Sequence, residues 1–250
     1  MSLSDHQLER YARQIVLKEI GGEGQKRLLA GHVLVVGAGG IGSPAIQYLA
    51  AAGVGRMTII DDDSVSLSNL QRQTLFGTAD IGEPKASLAA KAVEALNSDV
   101  LVQHLPERIN ASNAQRLIAG ADVVLDGSDN FETRLTVADH ALAAKVPLVS
   151  ASVAQFEGQL ALYRGWEADK PCYRCLVGSD PDRPEASCSE QGVLGVVAGV
   201  LGSLGAMEAI RAITGFGEDS AGKLLLIDAL SLRFRTLKLT KDPGCLACKA

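Results

Sequence analysis

The chain has 250 residues, of which 47% are hydrophobic and 21% charged, and its formal net charge is −5. This composition predicts a globular protein with a large buried core, and its acidic balance without basic runs argues against a nucleic-acid partner. The longest uncharged apolar stretch, 191–207, is shorter than the roughly 20 residues that span a bilayer, so we interpret it as a buried helix and expect no membrane partner.

Helices and strands are predicted to alternate through the first part of the chain. Ser4 and Gln7 have the spacing of a capping box, which predicts a helix over 4–18. A strand at 32–36, a glycine turn at 37–42, a helix at 43–52 and a strand at 57–60 form a βαβ unit with parallel, buried strands. Further helices are predicted at 84–96, 111–119 and 131–144, and further strands at 100–105, 121–126 and 146–150. We therefore predict an α/β fold with a doubly wound, Rossmann-like, mainly parallel sheet.

The pattern changes after about residue 150. Alternating apolar residues at 158–163, 223–227 and 232–239 predict a mixed or antiparallel extension around the long apolar helix. Residues 178–191 predict a long loop of the kind that often covers a site. We expect one domain over 1–250, with a nucleotide-binding half at 1–150 and a second half at 151–250.

The glycine turn predicts a nucleotide site. Gly37 permits the tight turn, Gly39 lets the backbone approach a ligand, and Gly42 lets helix and strand pack closely, so that helix amides face an anion. Asp61, at the end of the next strand, is placed to accept hydrogen bonds from ribose hydroxyls. The plainer interpretation is a tight packing turn, and the motif by itself favours NAD or FAD over ATP.

Three further residues shift the prediction towards ATP. Arg72 offers a planar fork to phosphate oxygens, and Lys85, in the first turn of a helix, can neutralise a triphosphate. Asp129 follows the carboxyl end of a strand, where a carboxylate can hold Mg²⁺. Each also has a plain interpretation: a solvated turn, an exposed lysine, a helix cap. Together they place ATP chemistry slightly ahead of an NAD-dependent oxidoreductase.

Two Cys-x-x-Cys pairs predict a closed zinc site. Cys172 with Cys175 and Cys245 with Cys248 supply four sulfurs, which leave no position for water, so the metal should be structural. The five cysteines, with no export signal, argue for a reducing cytoplasm, where clustered cysteines are more often metal ligands than disulfides. The alternatives are four ordinary buried thiols or a single redox pair.

The motifs together resemble one family. The chain is similar to the MoeB/ThiF/HesA family, bacterial relatives of ubiquitin-activating enzymes, from about Arg10 to Cys248. The resemblance is carried in order by Arg10-Tyr11-x-Arg13-Gln14, Gly37-x-Gly39-Gly40-Ile41-Gly42, Asp61 with Asp63, Leu67-Ser68-Asn69-Leu70-Gln71-Arg72-Gln73, Pro84-Lys85, Asp126-x-x-Asp129-Asn130 and the two cysteine pairs.

The resemblance implies a reaction and its partners. Members of the family use Mg-ATP to adenylate the C-terminal glycine of a small ubiquitin-fold sulfur carrier, of MoaD or ThiS type and ending in Gly-Gly. This forms an acyl-adenylate and pyrophosphate in molybdopterin or thiamine biosynthesis. The resemblance further implies a cytoplasmic homodimer whose second half, 151–250, binds the carrier and zinc. With no rhodanese-like domain expected after Cys248, sulfur would come from a separate cysteine desulfurase or sulfurtransferase.

Site residues follow by matching position. Asp61 would hold the ribose and Gly40 would lie under the nucleotide. Arg72 and Lys85 would hold the triphosphate, Asp129 would position Mg²⁺, and Arg13 would reach the site of the other subunit. Asn69 and Gln73 would assist the triphosphate contacts. Cys188 lies where some members use a cysteine to take a persulfide or acyl group, and a spare thiol is the alternative.

Three other classes are weighed against this one. A tRNA-modifying adenylating dehydratase of the same superfamily is disfavoured by the acidic charge and the cysteine pairs. A non-enzymatic zinc scaffold leaves Arg72, Lys85 and Asp129 unexplained, and the NAD-dependent oxidoreductase does not need them. The carrier stays open, because 61–63 resembles ThiF and 157–159 resembles MoeB.

Overall fold

One eight-stranded sheet organises the part of the chain that the computed structural model describes, residues 3–178 and 192–249. The strands are β1 (His32–Val36), β2 (Arg56–Ile60), β3 (Leu101–Leu105), β4 (Val123–Asp126), β5 (Leu148–Ala154), β6 (Glu157–Tyr163), β7 (Lys223–Asp228) and β8 (Arg233–Lys238). The helices are α1 (Asp5–Arg10), α2 (Ala12–Ile15), α3 (Gly21–Ala30), α4 (Gly42–Ala52), α5 (Lys85–Leu96), α6 (Ala114–Ile118), α7 (Phe131–Ala144), α8 (Tyr173–Val177) and α9 (Gly195–Thr214).

The sheet is parallel in one half and antiparallel in the other. Its order is β3-β2-β1-β4-β5-β6-β7-β8. Neighbouring strands from β3 to β5 pair in parallel, because helices carry the chain back between them. From β5 to β8 the pairing is antiparallel. The chain leaves β1 towards β2 on one side and later places β4 on the other, so the direction of winding changes between β1 and β4.

Helices cover both faces of the sheet. Helices α4, α5 and α9 pack on one face, and α6 and α7 on the other. Because β1 and β4 lie in the middle, their side chains are buried on both faces, which explains their continuous runs of valine and leucine. This confirms the predicted Rossmann-like sheet with its antiparallel extension.

Several predicted boundaries were wrong: β4 was predicted from 121 and β5 over 146–150. Two further differences have a clear structural reason. The predicted helix over 4–18 is broken at Tyr11, where the chain bends to bury that ring and to let its hydroxyl accept a hydrogen bond from the Asn97 amide at 2.9 Å. The helix predicted from 111 begins only at Ala114. Asn110 folds the preceding residues into a turn, since its Oδ1 accepts from the backbone N–H of Ser112 at 2.9 Å.

Helix α9 is the most apolar helix among the described residues. By length and composition alone it could cross a membrane, because its most apolar 18-residue segment has a mean hydropathy of 1.6. In the structure, 44% of that segment is buried. It packs against α4 and the middle strands, and it approaches α4 so closely that a Cβ at Gly202 would collide with the carbonyl oxygen of Ile41. Its glycines therefore permit backbone contact between the two helices.

Candidate functional site

A glycine turn connects β1 to α4. Gly37 follows β1 with φ of 86°, a left-handed conformation that glycine adopts without strain, and its N–H donates to the carbonyl of Ile60 at 2.9 Å. The turn folds back on itself so tightly that a Cβ at Gly42 would collide with the Gly37 carbonyl oxygen. Only glycine fits at Gly42, and the backbone of the turn is left open to a ligand.

The turn forms one wall of a cleft at the carboxyl ends of β1 and β4. This is the place where open α/β sheets bind ligands, because the winding direction changes there. The structure brings many of the predicted site residues to this cleft: Gly37, Gly39, Gly40, Asp61, Arg72, Gln73, Lys85 and Asp129. Gly127, Ser128, Arg134 and Ala198 complete much of the lining.

Asp61 holds the second strand against the glycine turn. One carboxylate oxygen accepts the N–H of Ala38 at 2.7 Å, and the other accepts the N–H of Asp63 at 2.9 Å. Burial raises the pKa of the Asp61 carboxyl, while these two N–H groups and the charge of Lys85 partly offset that rise. The carboxylate is therefore fixed beside the turn by bonds to its ionised form.

Arg72 and Gln73 follow a short 3₁₀ helix, Leu67–Asn69. Asn69 lies outside the cleft lining and caps this helix, its Oδ1 accepting from the N–H of Ser66 at 3.3 Å. Within the described residues Arg72 is anchored by one bond, from Nη1 to the Ser68 carbonyl at 3.0 Å, so most of its guanidinium donors stay available to the cleft. Gln73 is only 3% exposed, and its Oε1 has no hydrogen-bond partner among the described residues.

Lys85 begins α5 and places a buried ammonium at the cleft. Its side chain is 4% exposed, and Nζ lies 2.7 Å from the Asp63 carboxylate. An ammonium in this environment needs a counter-charge, because removing it from water is costly. The interpretation of Lys85 as an exposed first-turn lysine was therefore wrong.

Asp129 follows β4 and is exposed at the mouth of the cleft. The capping role is taken by its neighbour Asn130, whose Oδ1 accepts from the N–H of Thr133 at 2.8 Å at the start of α7. The Asp129 carboxylate makes no hydrogen bond within the described residues. Both of its oxygens are available to a ligand or a cation.

Four cysteine sulfurs cluster far from this cleft. The Sγ atoms of Cys172 and Cys175 are 3.8 Å apart, those of Cys172 and Cys245 3.6 Å, and those of Cys175 and Cys248 3.5 Å. Zinc bound to four sulfurs at about 2.3 Å holds them about 3.8 Å apart, so the spacing fits that donor set. The separations are too long for disulfides, whose S–S bond is about 2.05 Å.

The cluster stands at the opposite end of the sheet from the cleft. Cys172 packs against Gly165, just after β6, and Tyr163 at the end of β6 pairs with Leu148 at the start of β5. The cleft lies near the other end of β5, at Val153. The cysteine cluster and the cleft are therefore two separate sites.

The model of the ThiF family matches residues 11–247. The chain belongs to the ThiF family. It is 46% identical to the "Sulfur carrier protein adenylyltransferase" of Thermus thermophilus over 99% of this chain and 93% of that protein. It is 42% identical to the "Molybdopterin-synthase adenylyltransferase" of Escherichia coli over 98% of each. The ThiF-family membership predicted from the motifs is confirmed, and with it the enzyme class, an adenylyltransferase.

The fold is also shared with a more distant enzyme. The structure superposes on E. coli MccB, in a crystal structure titled "MccB + ATP", with a TM-score of 0.84 at 23% identity, covering 96% of this chain and 74% of that one. At this identity, the match shows only that the two proteins share a fold.

Other predicted residues lie elsewhere or outside the described residues. Arg13 is exposed on α2 and does not line the cleft of its own chain. Gly42 does not line the cleft, and its lack of a side chain lets the glycine turn pack closely. Cys188 lies outside the described residues.

Two cleft residues received no role from the sequence. Asp63 was noted only as part of a motif, and it is the ion-pair partner of Lys85. Arg134, buried in α7, donates from Nη1 to the Ala151 carbonyl at 3.2 Å and from Nη2 to the Ser128 carbonyl. It thereby ties the segment that carries Asp129 to β5. A basic residue inside a helix gives no signal of such a contact in a single sequence.

Proposed function

We propose that this adenylyltransferase uses Mg-ATP to activate the C-terminal carboxylate of a ubiquitin-fold sulfur carrier that ends in Gly-Gly. One observation carries the proposal: a single cleft at a glycine turn holds a fixed carboxylate, Asp61, two cations, Arg72 and Lys85, and an available carboxylate, Asp129. The names of the two similar relatives support a sulfur carrier as the substrate.

The cations favour ATP over a dinucleotide. A buried lysine and a half-buried arginine facing one cleft suit several phosphate oxygens at once. A hydride-transfer site has no use for two cations and a spare carboxylate beside the pyrophosphate. We therefore prefer adenylation to the NAD-dependent oxidoreductase, although the fold serves both.

Each residue of the cleft has a role in this reaction. Asp61 would accept hydrogen bonds from ribose hydroxyls, and Gly40 would lie under the nucleotide. A side chain at Gly40 would press on Arg72 and Ala198, so glycine suits this position. Arg72 and Lys85 would neutralise the phosphates as charge builds on them. Gln73 would donate from its side-chain amide nitrogen, which lies beside Gly39, to phosphate oxygens, while Asn69 would act by fixing the turn before Arg72.

Asp129 would hold Mg²⁺, which would neutralise part of the negative charge on the phosphates. The carrier carboxylate then attacks the α-phosphorus, and pyrophosphate leaves. No protein nucleophile is needed, so the protein contributes by positioning and by charge.

The second half of the chain, 151–250, would bind the body of the carrier. Phe156, between β5 and β6, is 38% exposed, and Leu230 and Leu232, between β7 and β8, are 76% and 81% exposed. Because Ala154 pairs with Glu157 and Glu157 pairs with Asp228, these turns lie at the same end of the strands as the cleft. Apolar side chains exposed together suit a protein partner.

This docking surface gives a prediction. Leu230→Asp should raise the KM for the carrier about 10-fold or more and leave the KM for ATP unchanged, because it places a charge in an apolar contact. Leu101→Asp is the matched control, since Leu101 is 67% exposed at the start of β3, at the other end of the sheet. Equal effects of the two substitutions on the carrier KM would argue against this docking surface.

The remaining parts of the proposal concern assembly, metal and sulfur. Arg13 would complete the site of a second copy in a homodimer. Zinc would occupy the cluster of Cys172, Cys175, Cys245 and Cys248 as a structural ion. Cys188 stays a predicted point of acyl or persulfide transfer. A cysteine desulfurase or sulfurtransferase would supply the sulfur, in the cytoplasm.

Pyrophosphate–ATP exchange tests the function directly. The purified protein should exchange labelled pyrophosphate into ATP only with Mg²⁺ and a Gly-Gly-ended carrier present. Parallel reactions with MoaD and ThiS would show whether the pathway is molybdopterin or thiamine biosynthesis. Exchange that is independent of any carrier, or stabilisation by NAD instead of Mg-ATP, would contradict the proposal.

A further inference from the structure

The ion pair between Lys85 and Asp63 is unequal in its exposure to solvent. The lysine side chain is 4% exposed and the aspartate side chain 67%, although Nζ and Oδ2 are 2.7 Å apart. The carboxylate thus stays hydrated while the ammonium is buried and also lines the cleft. Asp63 is the partner that satisfies the ammonium in the described structure.

Asp63 is also held by its own backbone. Its N–H donates to the Asp61 carboxylate at 2.9 Å, and its carbonyl accepts the N–H of Lys85 at 3.0 Å. The other oxygen of Asp61 accepts the N–H of Ala38 in the glycine turn at 2.7 Å. A continuous series of hydrogen bonds therefore connects the glycine turn, through Asp61 and Asp63, to the first residue of α5.

We propose that Asp63 is a positioning residue, which directs the Lys85 ammonium into the cleft and fixes its place relative to the Asp61 carboxylate. The inference rests on the proposed function, because it assigns Lys85 to the phosphates. Asp63 itself touches neither nucleotide nor carrier in this scheme. It acts only through Lys85.

The chemistry of lysine explains why such a residue is needed. A lysine side chain has a flexible four-carbon stem and three donors without a preferred direction. Asp63 takes one donor of the ammonium, so the other donors of Lys85, which lines the cleft, are left for a ligand. Holding the stem in advance removes the entropy that would otherwise be lost when a phosphate binds. The bond from Asp63 to Asp61 sets this position relative to the ribose end of the site.

The test is a double-mutant cycle in which the affinity for the nucleotide is measured. Asp63→Asn, Asp63→Glu and Lys85→Met are made singly, and Asp63→Asn is combined with Lys85→Met, which keeps the volume of the stem. The dissociation constant for Mg-ATP is measured by titration, and carrier-dependent exchange is measured for the variants that retain Lys85. Asp62→Asn is the matched control, because Asp62 is the adjacent exposed carboxylate.

We expect Asp63→Asn to weaken Mg-ATP binding and exchange by on the order of 10²-fold, an effect that a displacement of about 1 Å can produce. Asp63→Glu should restore most of the loss. Asp63→Asn should add nothing in the Lys85→Met background, because its effect passes through Lys85. Asp62→Asn should behave like the native protein.

Two results with the variants would overturn the inference. If Asp63→Asn lowers only the melting temperature and leaves affinity and exchange unchanged, the ion pair is merely structural. If its effect persists in the Lys85→Met background, Asp63 acts by another route. Failure of the native protein to bind Mg-ATP at all would refute the proposed function and this inference with it.

Discussion

Replacing Arg72 with alanine should lower carrier-dependent pyrophosphate exchange by about 10³-fold, in the range found when a phosphate-binding arginine is removed. The side chain is half-buried over Gly40 and is anchored through one donor to the Ser68 carbonyl. Its other donors can therefore bind phosphate oxygens whose charge grows in the transition state. Exchange assays across a range of ATP concentrations would measure the loss in kcat and in KM.

Two further variants sharpen this prediction. Arg72→Lys should recover little, because an ammonium cannot reproduce the planar fork of a guanidinium. Arg56→Ala is the control, since Arg56 is exposed at the start of β2, at the other end of the sheet from the cleft. Circular dichroism and the melting temperature should match those of the native protein in all three. An Arg72→Ala enzyme within a few-fold of the native rate would exclude Arg72 from the reaction.

Cys172→Ser should release one zinc ion per chain and lower the melting temperature by more than about 10 °C. Residues 239–249 contain no helix or strand. They are attached to the rest of the protein by the cysteine cluster, by Lys241 Nζ, which donates to the carbonyls of Gly165 and Glu167 at 3.0 and 3.1 Å, and by a few backbone contacts. Without the metal, these contacts hold the segment weakly. Atomic emission spectroscopy and thermal unfolding measure the two effects.

Cys188→Ser provides the matched control, because the four described cysteines already supply a complete set of zinc ligands, so this substitution should leave zinc bound and the melting temperature unchanged. Mg-ATP affinity of Cys172→Ser, measured well below its melting temperature, should stay near the native value, since the cluster and the cleft occupy opposite ends of β5. Native protein purified without zinc, yet as stable as after zinc is added, would refute a structural metal.

The sequence predicts those features that depend on neighbouring residues. β1 and α7 have the predicted bounds, because a short β-branched run and a helical repeat after a capping asparagine are local patterns. The cysteine cluster was predictable for a related reason: each pair is local, and four sulfurs complete one coordination shell. The cleft followed from the rule that ligands bind at the carboxyl ends of parallel strands.

Features that depend on distant contacts were missed. The bend at Tyr11 arises because its ring finds a buried place beside Asn97, which no local pattern reveals. The pairing of Lys85 with Asp63 joins residues 22 positions apart and depends on how the intervening turns fold. Arg134 reaches carbonyls on two different segments, so its role exists only once α7 lies on the sheet.

The close packing of α9 has a consequence for the width of the cleft. Gly195 stands against the carbonyl of Gln71, Ala198 lines the cleft beside Gly40, and Gly202 touches the carbonyl of Ile41. The distance between the wall that carries Arg72 and the glycine turn is thus set by a helix surface with almost no side chains. A larger residue at Gly195 or Gly202 would push these walls apart without altering any side chain proposed to bind phosphate, so the dimensions of the cleft depend on a helix that the chain forms between the antiparallel strands β6 and β7.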